Sequence, residues 1–352
     1  MDILDIVSKF QIKERVVGYS PLGNGHINST FLINTDTGKR YVLQKINSYA
    51  FKNVDQLMEN MYKTTSFLIE HGFETLKVVK TKDDGLYVRD GEDYYRLTDF
   101  IENTICYEGV ENLNAVYNAG KAFGLLHRAF RDYDASTLYE VIPNFHNTKK
   151  RYQDLLDAIK VDPVNRFKTC QIEYLTIHNR ERDFSYIVDS IASGDIQLAV
   201  THNDPKINNV LFDKDSGAIR AVIDLDTIMP GSYLYDFGDA LRSLFTGEYE
   251  DSRDVSKVGV DYQIFESYTK GYLSEMKDVL NQKEIEALAF SVFLLTIEVA
   301  IRFLTDYING DVYFHIDYPE HNLVRARTQI KLAEDIYKAI PELNEIVKKC
   351  LK

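Results

Sequence analysis

"THNDPKINNVLFD" (residues 201–213) places His202, Asp204, Lys206 and Asn209 on alternate and near-alternate positions, then turns into a short apolar run. An aspartate five residues before an asparagine can offer two different oxygens from one turn. The carboxylate suits a hydroxyl that must lose its proton, and the amide oxygen suits a hard cation. Phosphoryl transfer to an alcohol asks for those parts: a cradle over the phosphates, oxygen ligands for a metal, and a carboxylate at the acceptor.

The pattern His202-x-Asp204-x4-Asn209 has the spacing of a kinase catalytic loop, with the Asp facing the acceptor and the Asn on the metal. Lys206, two residues after the Asp, is placed to counter charge on the transferred group. Magnesium takes one or two carboxylates besides phosphates, so a second acid is required. Two stretches supply one. "YDFGDALR" (235–242) holds a literal Asp-Phe-Gly at Asp236, and "VIDLD" (222–226) ends an apolar strand with Asp224. In "NVLFDKDSGAIRAVIDLD" a turn at "DKDSG" reverses the chain, so Asp224 is expected to return alongside Asn209. Asp236 follows a further turn, "MPGS" (229–232), and reads as a structural carboxylate that ties the catalytic loop.

Outward from this segment, the chain falls into a β-rich beginning and a helical remainder. "VVGYSPLGNGHINSTFLINT" (16–35) holds two strands around a turn, "RYVLQKI" (40–46) a third, and 53–71 a helix that Gly72 closes. "GLYVRD" and "YYRLTDFI" form a hairpin through "GED" (91–93). Helices follow over 113–130, 148–159, 171–193, 261–276, 283–308 and 320–339, interrupted by short strands over 198–225. The expectation is an α+β chain of two lobes, with a small β-rich N-lobe over 1–102 and a larger, mostly helical C-lobe over 103–352.

The loop "GNGHINST" sits between the first two strands, where a phosphate-covering flap belongs. Gly23 and Gly25 allow close backbone approach, and Asn24, His26 and Asn28 are candidate donors. The loop lacks the G-x4-G-K-[ST] pattern, which excludes a P-loop. On the third strand Gln44 and Lys45 both stand where a phosphate anchor is needed, on opposite faces, and the choice between them stays open. His127 in "AFGLLHRAF" reads as a packed helix residue, and His71, His146, His178 and His315 have no metal-ligand spacing.

A net charge of −13 on 352 residues argues against a nucleic-acid surface, which needs excess Lys and Arg. Neutral and cationic small substrates stay open. Three widely spaced cysteines and an acidic beginning, "MDILDIVSKF", point to a reducing cytoplasm. The apolar stretch "ALAFSVFLLTI" (287–297) is about half a bilayer span and reads as a core helix rather than a membrane segment.

The stretches "GNGHINSTFLI", "YVLQKIN", "AFGLLH", "VTHNDPKINNVLFD", "AVIDLDTIMPGSYLYDFGDALR" and "YPEHNLVRARTQIKL" resemble the aminoglycoside phosphotransferase and choline kinase-like branch of the protein-kinase-like fold. The resemblance runs from about Val17 to Lys331, and its C-terminal part looks like members acting on N-acetylhexosamines. It implies the bilobal kinase-like fold, a cytoplasmic monomer, and ATP- and magnesium-dependent phosphorylation of the anomeric hydroxyl of GlcNAc or GalNAc. It implies Asp204 as base, Asn209 and Asp224 as metal ligands, and Arg302 and Tyr313 as sugar contacts. Gln44 departs from the Lys or Arg of the wider family. The plain alternative for Arg302 is a helix salt bridge to Glu298, four residues earlier. Two rival functions remain: the same fold acting on an aminoglycoside, choline or homoserine, and a nucleotide-binding module without catalysis.

Overall fold

The computed structural model describes residues 2–22 and 30–352. Helix α1 (Ile3–Val7) starts at Asp2, whose carboxylate accepts from the Ile3 amide. Strands β1 (Val16–Pro21), β2 (Thr30–Thr35) and β3 (Arg40–Ile46) follow. Helix α2 (Val54–Glu70) is capped by Asn53, whose side chain accepts from the Gln56 amide, and closes at Gly72 with φ +80°. Next come β4 (Val78–Val79), β5 (Val88–Asp90), β6 (Asp93–Asp99) and β7 (Thr104–Ile105). Asp90 pairs with Asp93 across a two-residue turn in which Gly91 takes φ +63°, as a hairpin turn requires at its first position.

The chain continues through α3 (Leu113–Ala129), α4 (Thr148–Val161), α5 (Gln171–His178), α6 (Tyr186–Ser193) and β8 (Ala199–Thr201). It then forms β9 (Val210–Asp213), β10 (Ile219–Val222) and β11 (Met229–Gly231). Four helices complete it: α7 (Tyr233–Thr246), α8 (Tyr262–Met276), α9 (Gln282–Asn309) and α10 (His321–Cys350).

Two compact units result. The first is Met1–Cys106 with Ser136–Pro143 and Val210–Met229, and the second is Tyr107–Ala135, Asn144–Asn209 and Pro230–Lys352. Where the sequence reading cuts the chain once, at 102/103, the chain rejoins the first unit twice. The reason for the second return is strand pairing: β7 binds β9 at Thr104↔Asp213 and Ile105↔Phe212, which recruits the β9–β10 hairpin.

The first unit is built on an antiparallel sheet in the order β1-β2-β3-β6-β4, with β5 on β6. Alternation along β3 buries Tyr41 and Leu43, which pack with Ile33, Leu97 and the apolar side of α1. Val42 and Gln44 face the other way. The second unit is helical, around a core rich in Leu, Phe and Tyr from α7, α8, α9 and α10. Helix α9 is long and apolar enough to cross a membrane, but 89% of its most apolar window is buried in this core.

Three helical segments depart from the sequence reading. The stretch 171–193 divides into α5 and α6 around a tight turn at Glu181–Asp183, because the polar run "HNRERD" has no apolar face to hold a continuous helix. Helix α7 was not among the expected helices, although Ser232 caps it through the Leu234 amide. Helix α10 runs eleven residues past 339 and through Pro341, because Leu343 and Val347 extend its buried face.

Helices α3 and α8 approach closely only because both carry glycine at the crossing. A Cβ on Gly271 would lie 1.9 Å from the Tyr117 carbonyl oxygen, and one on Gly120 would lie 2.2 Å from that of Tyr268. Gly271→Ala should therefore force the helices apart and cost about 1–3 kcal/mol. Urea unfolding checks this; a variant as stable as the parent would show that the crossing has slack.

Candidate active site

Strand β8 delivers the chain to His202, and His202, Asn203 and Asp204 are held through their backbone by buried partners. Asp236, in the first turn of α7, is fully buried. One of its oxygens accepts from the Asn203 amide at 2.7 Å. The other accepts from the His202 amide at 2.7 Å and from His127 Nε2 at 2.7 Å. Burial pushes the Asp236 pKa up, but the His127 hydrogen bond and the neighbouring histidine charges outweigh it and hold the carboxylate below its ordinary value. The literal Asp-Phe-Gly thus places a clamp on the loop. Gly238 of that triplet lies against α9, where a Cβ would meet the Ser291 carbonyl oxygen at 2.5 Å.

Asn203 takes φ +64°, a left-handed conformation that Asn tolerates better than most residues. Its amide is held by Asp236, and its carbonyl accepts from His146 Nε2 at 3.2 Å. The other His146 nitrogen donates to Glu298 Oε1 at 2.9 Å, and Glu298 Oε2 accepts from Thr148 Oγ1 at 2.6 Å. With both ring nitrogens donating, His146 is held as the imidazolium. Burial would lower its pKa, but the hydrogen bond and charge of Glu298 prevail and raise it.

Past this anchored peptide, the expected chemical groups come together in one turn. The Asp204 amide donates to His202 Nδ1 at 3.2 Å, so the motif histidine is a buried support. Lys206 Nζ lies 3.0 Å from Asp204 Oδ1 and 3.2 Å from Oδ2. Burial would lower the lysine's pKa, but the Asp204 charge raises it. Asn209 donates through Nδ2 to the Asp204 carbonyl at 2.9 Å, which keeps its amide oxygen available. Nearby Asp239 is buried, and burial would raise its pKa, yet the Arg242 guanidinium 2.6 Å away lowers it.

A second group lies in the same unit. Arg302 sits over the rings of Phe145 and Phe314, at 5.3 and 5.5 Å, and Tyr313 packs edge-on against Phe314. The expected alternative for Arg302 is not realised: Glu298 is taken by His146 and Thr148. No carboxylate lies within ion-pair distance of Arg302 among the described residues. Arg151 joins this group, with two guanidinium nitrogens on the Phe145 carbonyl. Burial lowers its pKa, and the charge of Arg302 lowers it further.

In the first unit, Asp224 is exposed and left-handed at φ +61°. Gln44 faces Arg96 across β3 and β6, and its side-chain oxygen accepts from Arg96 Nε and Nη2, each at 3.1 Å. Lys45, its rival in the sequence, instead pairs with Asp93 at 2.8 Å. Gly23, Asn24, Gly25, His26 and Asn28 lie outside the described residues.

The phosphotransferase enzyme family model (APH) matches residues 18–260, more than half of the chain. The chain belongs to this phosphotransferase family. Solved structures of similar fold include an aminoglycoside phosphotransferase from Alicyclobacillus acidocaldarius, at 15% identity and TM-score 0.64, covering 99% of this chain and 97% of that one. Amicoumacin kinase hAmiN in complex with AMP-PNP, Ca2+ and Ami matches at 14% identity and TM-score 0.60, over 97% and 94% of the two chains. Choline kinase LicA from Streptococcus pneumoniae matches at 13% identity and TM-score 0.54, over 92% and 94%. At these identities the likeness establishes the kinase-like fold: an antiparallel-sheet lobe and a helical lobe.

Sequence reasoning missed several residues of this phosphotransferase that structure now distinguishes: Arg96, His146, Arg151, Asp239 and Glu298. The usable signal was a charge inside an apolar run. Glu298 interrupts "LLTIEVAI" and Arg96 interrupts "YYRLT", and a buried charge needs a partner.

The raised pKa of His146 fixes the sign of a pH effect. Stability from the imidazolium is full below the ordinary histidine value of about 6.5 and is lost as pH rises through the higher folded value. The melting-temperature gap between the parent and His146→Gln should therefore be widest near pH 6 and narrow in alkaline buffer. A gap that widens with pH would mean that His146 is neutral in the fold.

Proposed function

We propose that this phosphotransferase is an N-acetylhexosamine 1-kinase, transferring the γ-phosphoryl group of ATP to the anomeric hydroxyl of GlcNAc or GalNAc. The observation that carries the acceptor reading is the state of Arg302. It is an ion with no carboxylate partner among the described residues, set between two aromatic rings beside Arg151 and Tyr313. A cationic aminoglycoside or amino alcohol calls for carboxylates in its pocket. A neutral acetamido sugar calls for directional donors such as a guanidinium and a phenol.

In this reading Asp204 accepts the proton of the anomeric hydroxyl as that oxygen forms its bond to the γ-phosphorus and the bond to the ADP oxygen breaks. Lys206, already paired with Asp204, holds the carboxylate and counters charge on the moving group. Asn209 and Asp224 are the proposed oxygen ligands for magnesium. The donor chemistry fits: an amide oxygen left open by the Nδ2 bond to Asp204, and an exposed carboxylate, with phosphates and water completing the shell. When bound, magnesium would neutralise charge on the phosphate oxygens. That the amicoumacin kinase structure contains AMP-PNP and Ca2+ supports ATP with a divalent cation. Gln44 and the loop bearing Gly23, Asn24, Gly25 and His26 are proposed for the nucleotide. Three free cysteines suit a cytoplasmic setting.

The deciding experiment is a panel of N-acetylhexosamines, aminoglycosides, choline and homoserine with magnesium-ATP, the phosphorylated position being assigned by phosphorus NMR. Turnover only with amines would overturn the acceptor reading. Asp204→Asn should lower kcat at least about a hundredfold, the scale of general-base help, with ATP affinity little changed. Near-normal kcat would remove Asp204 from the role of base. Losing one donor to a neutral group costs about 0.5–1.5 kcal/mol. Arg302→Ala should thus raise KM for N-acetylhexosamine up to about tenfold and leave KM for ATP within about a factor of two. Equal rises in both constants would point to general damage instead.

A further inference from the structure

Arg96 is among the largest fully buried side chains described, with 1% of its surface exposed at the middle of β6. Such a charge is tolerated only if every part of it is engaged. Here Nη1 pairs with Asp226, while Nε and Nη2 together grip the Gln44 side-chain oxygen. Both partners matter by position. Gln44 is the cross-strand neighbour of Arg96 on β3, the strand from which kinases present a cation to the phosphates. Asp226 is buried in the short turn Leu225–Thr227 that starts at the left-handed Asp224.

A second tie acts on the same segment. Asn60 of α2 donates to the Ile228 carbonyl at 3.0 Å, so the segment is fastened at two points, the middle of the turn and the residue after it. With its oxygen held by two guanidinium nitrogens, the Gln44 amide has one sense only. Its NH2 must point away from Arg96, and no described hydrogen bond uses it. A neutral amide alone would be a weak phosphate anchor. An amide polarised by a buried guanidinium is a stronger donor, because a charge-assisted hydrogen bond on its oxygen draws electron density from its nitrogen.

We infer that Arg96 is a positioning residue that takes over the part of the missing β3 cation, acting through Gln44 on the nucleotide phosphates and through Asp226 on the Asp224 turn. This rests on the ATP-dependent reading above. It explains why position 44 of β3 carries no basic side chain: a lysine there would confront the Arg96 guanidinium directly.

The test measures AMP-PNP binding with magnesium by calorimetry on the full chain, so it does not depend on the acceptor. Gln44→Leu and Arg96→Lys should each weaken binding about tenfold; Lys retains a charge for Asp226 but cannot grip Gln44 with two nitrogens. Because the two residues act as one unit, the double variant should be no weaker than Gln44→Leu alone. The exchange Gln44→Lys with Arg96→Gln, which returns the cation to β3, should recover binding to within about threefold of the parent. Circular dichroism melts report folding separately, and Arg96→Lys decides the matter if Arg96→Gln-bearing chains fail to fold. Unchanged binding in Gln44→Leu and Arg96→Lys, or strictly additive losses, would overturn the inference while leaving the nucleotide reading intact. A parent chain that binds no AMP-PNP would overturn both.

Discussion

The second unit depends on one buried carboxylate. Asp236 accepts three hydrogen bonds at 2.7 Å, two of them from consecutive backbone amides. Consecutive amides can converge on one carboxylate only when the chain bends, and the positive φ at Asn203 supplies the bend. Left-handed backbone outside glycine costs roughly 1–3 kcal/mol and persists where the surroundings over-determine it. Here a carboxylate and an imidazolium grip the two ends of the Asn203 unit, one on its amide and one on its carbonyl. Asp204 therefore emerges from an anchored residue, and its side chain can be aimed although the loop has no regular structure of its own.

The fold was legible in the sequence wherever local chemistry and hydrophobic period agree. The β-hairpin at Gly91 and the close at Gly72 follow from residues at fixed offsets. The literal Asp-Phe-Gly was legible as structural because of its distance from the hairpin. Other features were out of reach because their signal lies far away along the chain. The partner of His146 is 152 residues off and the partner of Arg96 is 130 residues off. No window on the sequence joins them. Helix α10 hid its last turns for the opposite reason: Pro341 is a local stop signal that tertiary burial of Leu343 and Val347 overrides.

The same distinction governs Arg302. From sequence, Glu298 one turn earlier is an ordinary helix partner, worth a few tenths of a kcal/mol on an exposed surface. In the fold Glu298 is fully buried, and a buried carboxylate gains far more from an imidazolium and a hydroxyl already held beside it than from a long, half-exposed side chain. The competition is decided by burial rather than by spacing. Its outcome leaves a guanidinium without an acid among the described residues, in a chain that carries thirteen more acids than bases.

Against that excess, the arginines with no carboxylate partner among the described residues stand out. Most guanidiniums here have carboxylates: Arg242 with Asp239, Arg180 with Glu334, Arg220 with Glu74, Arg327 with Glu173. Arg151 and Arg302 are instead neighbours of each other, close enough that the charge of Arg302 helps lower the Arg151 pKa, and they are bounded by Phe145, Tyr313 and Phe314. In the reading proposed above, two like charges side by side suit a partner that accepts hydrogen bonds and disfavour one that brings a further positive charge. An acetamido sugar, rich in hydroxyl and carbonyl oxygens and carrying no charge, meets both conditions. An ammonium-bearing acceptor offers hydroxyl oxygens too but fails the second condition, whatever attraction the overall charge of the protein provides at long range.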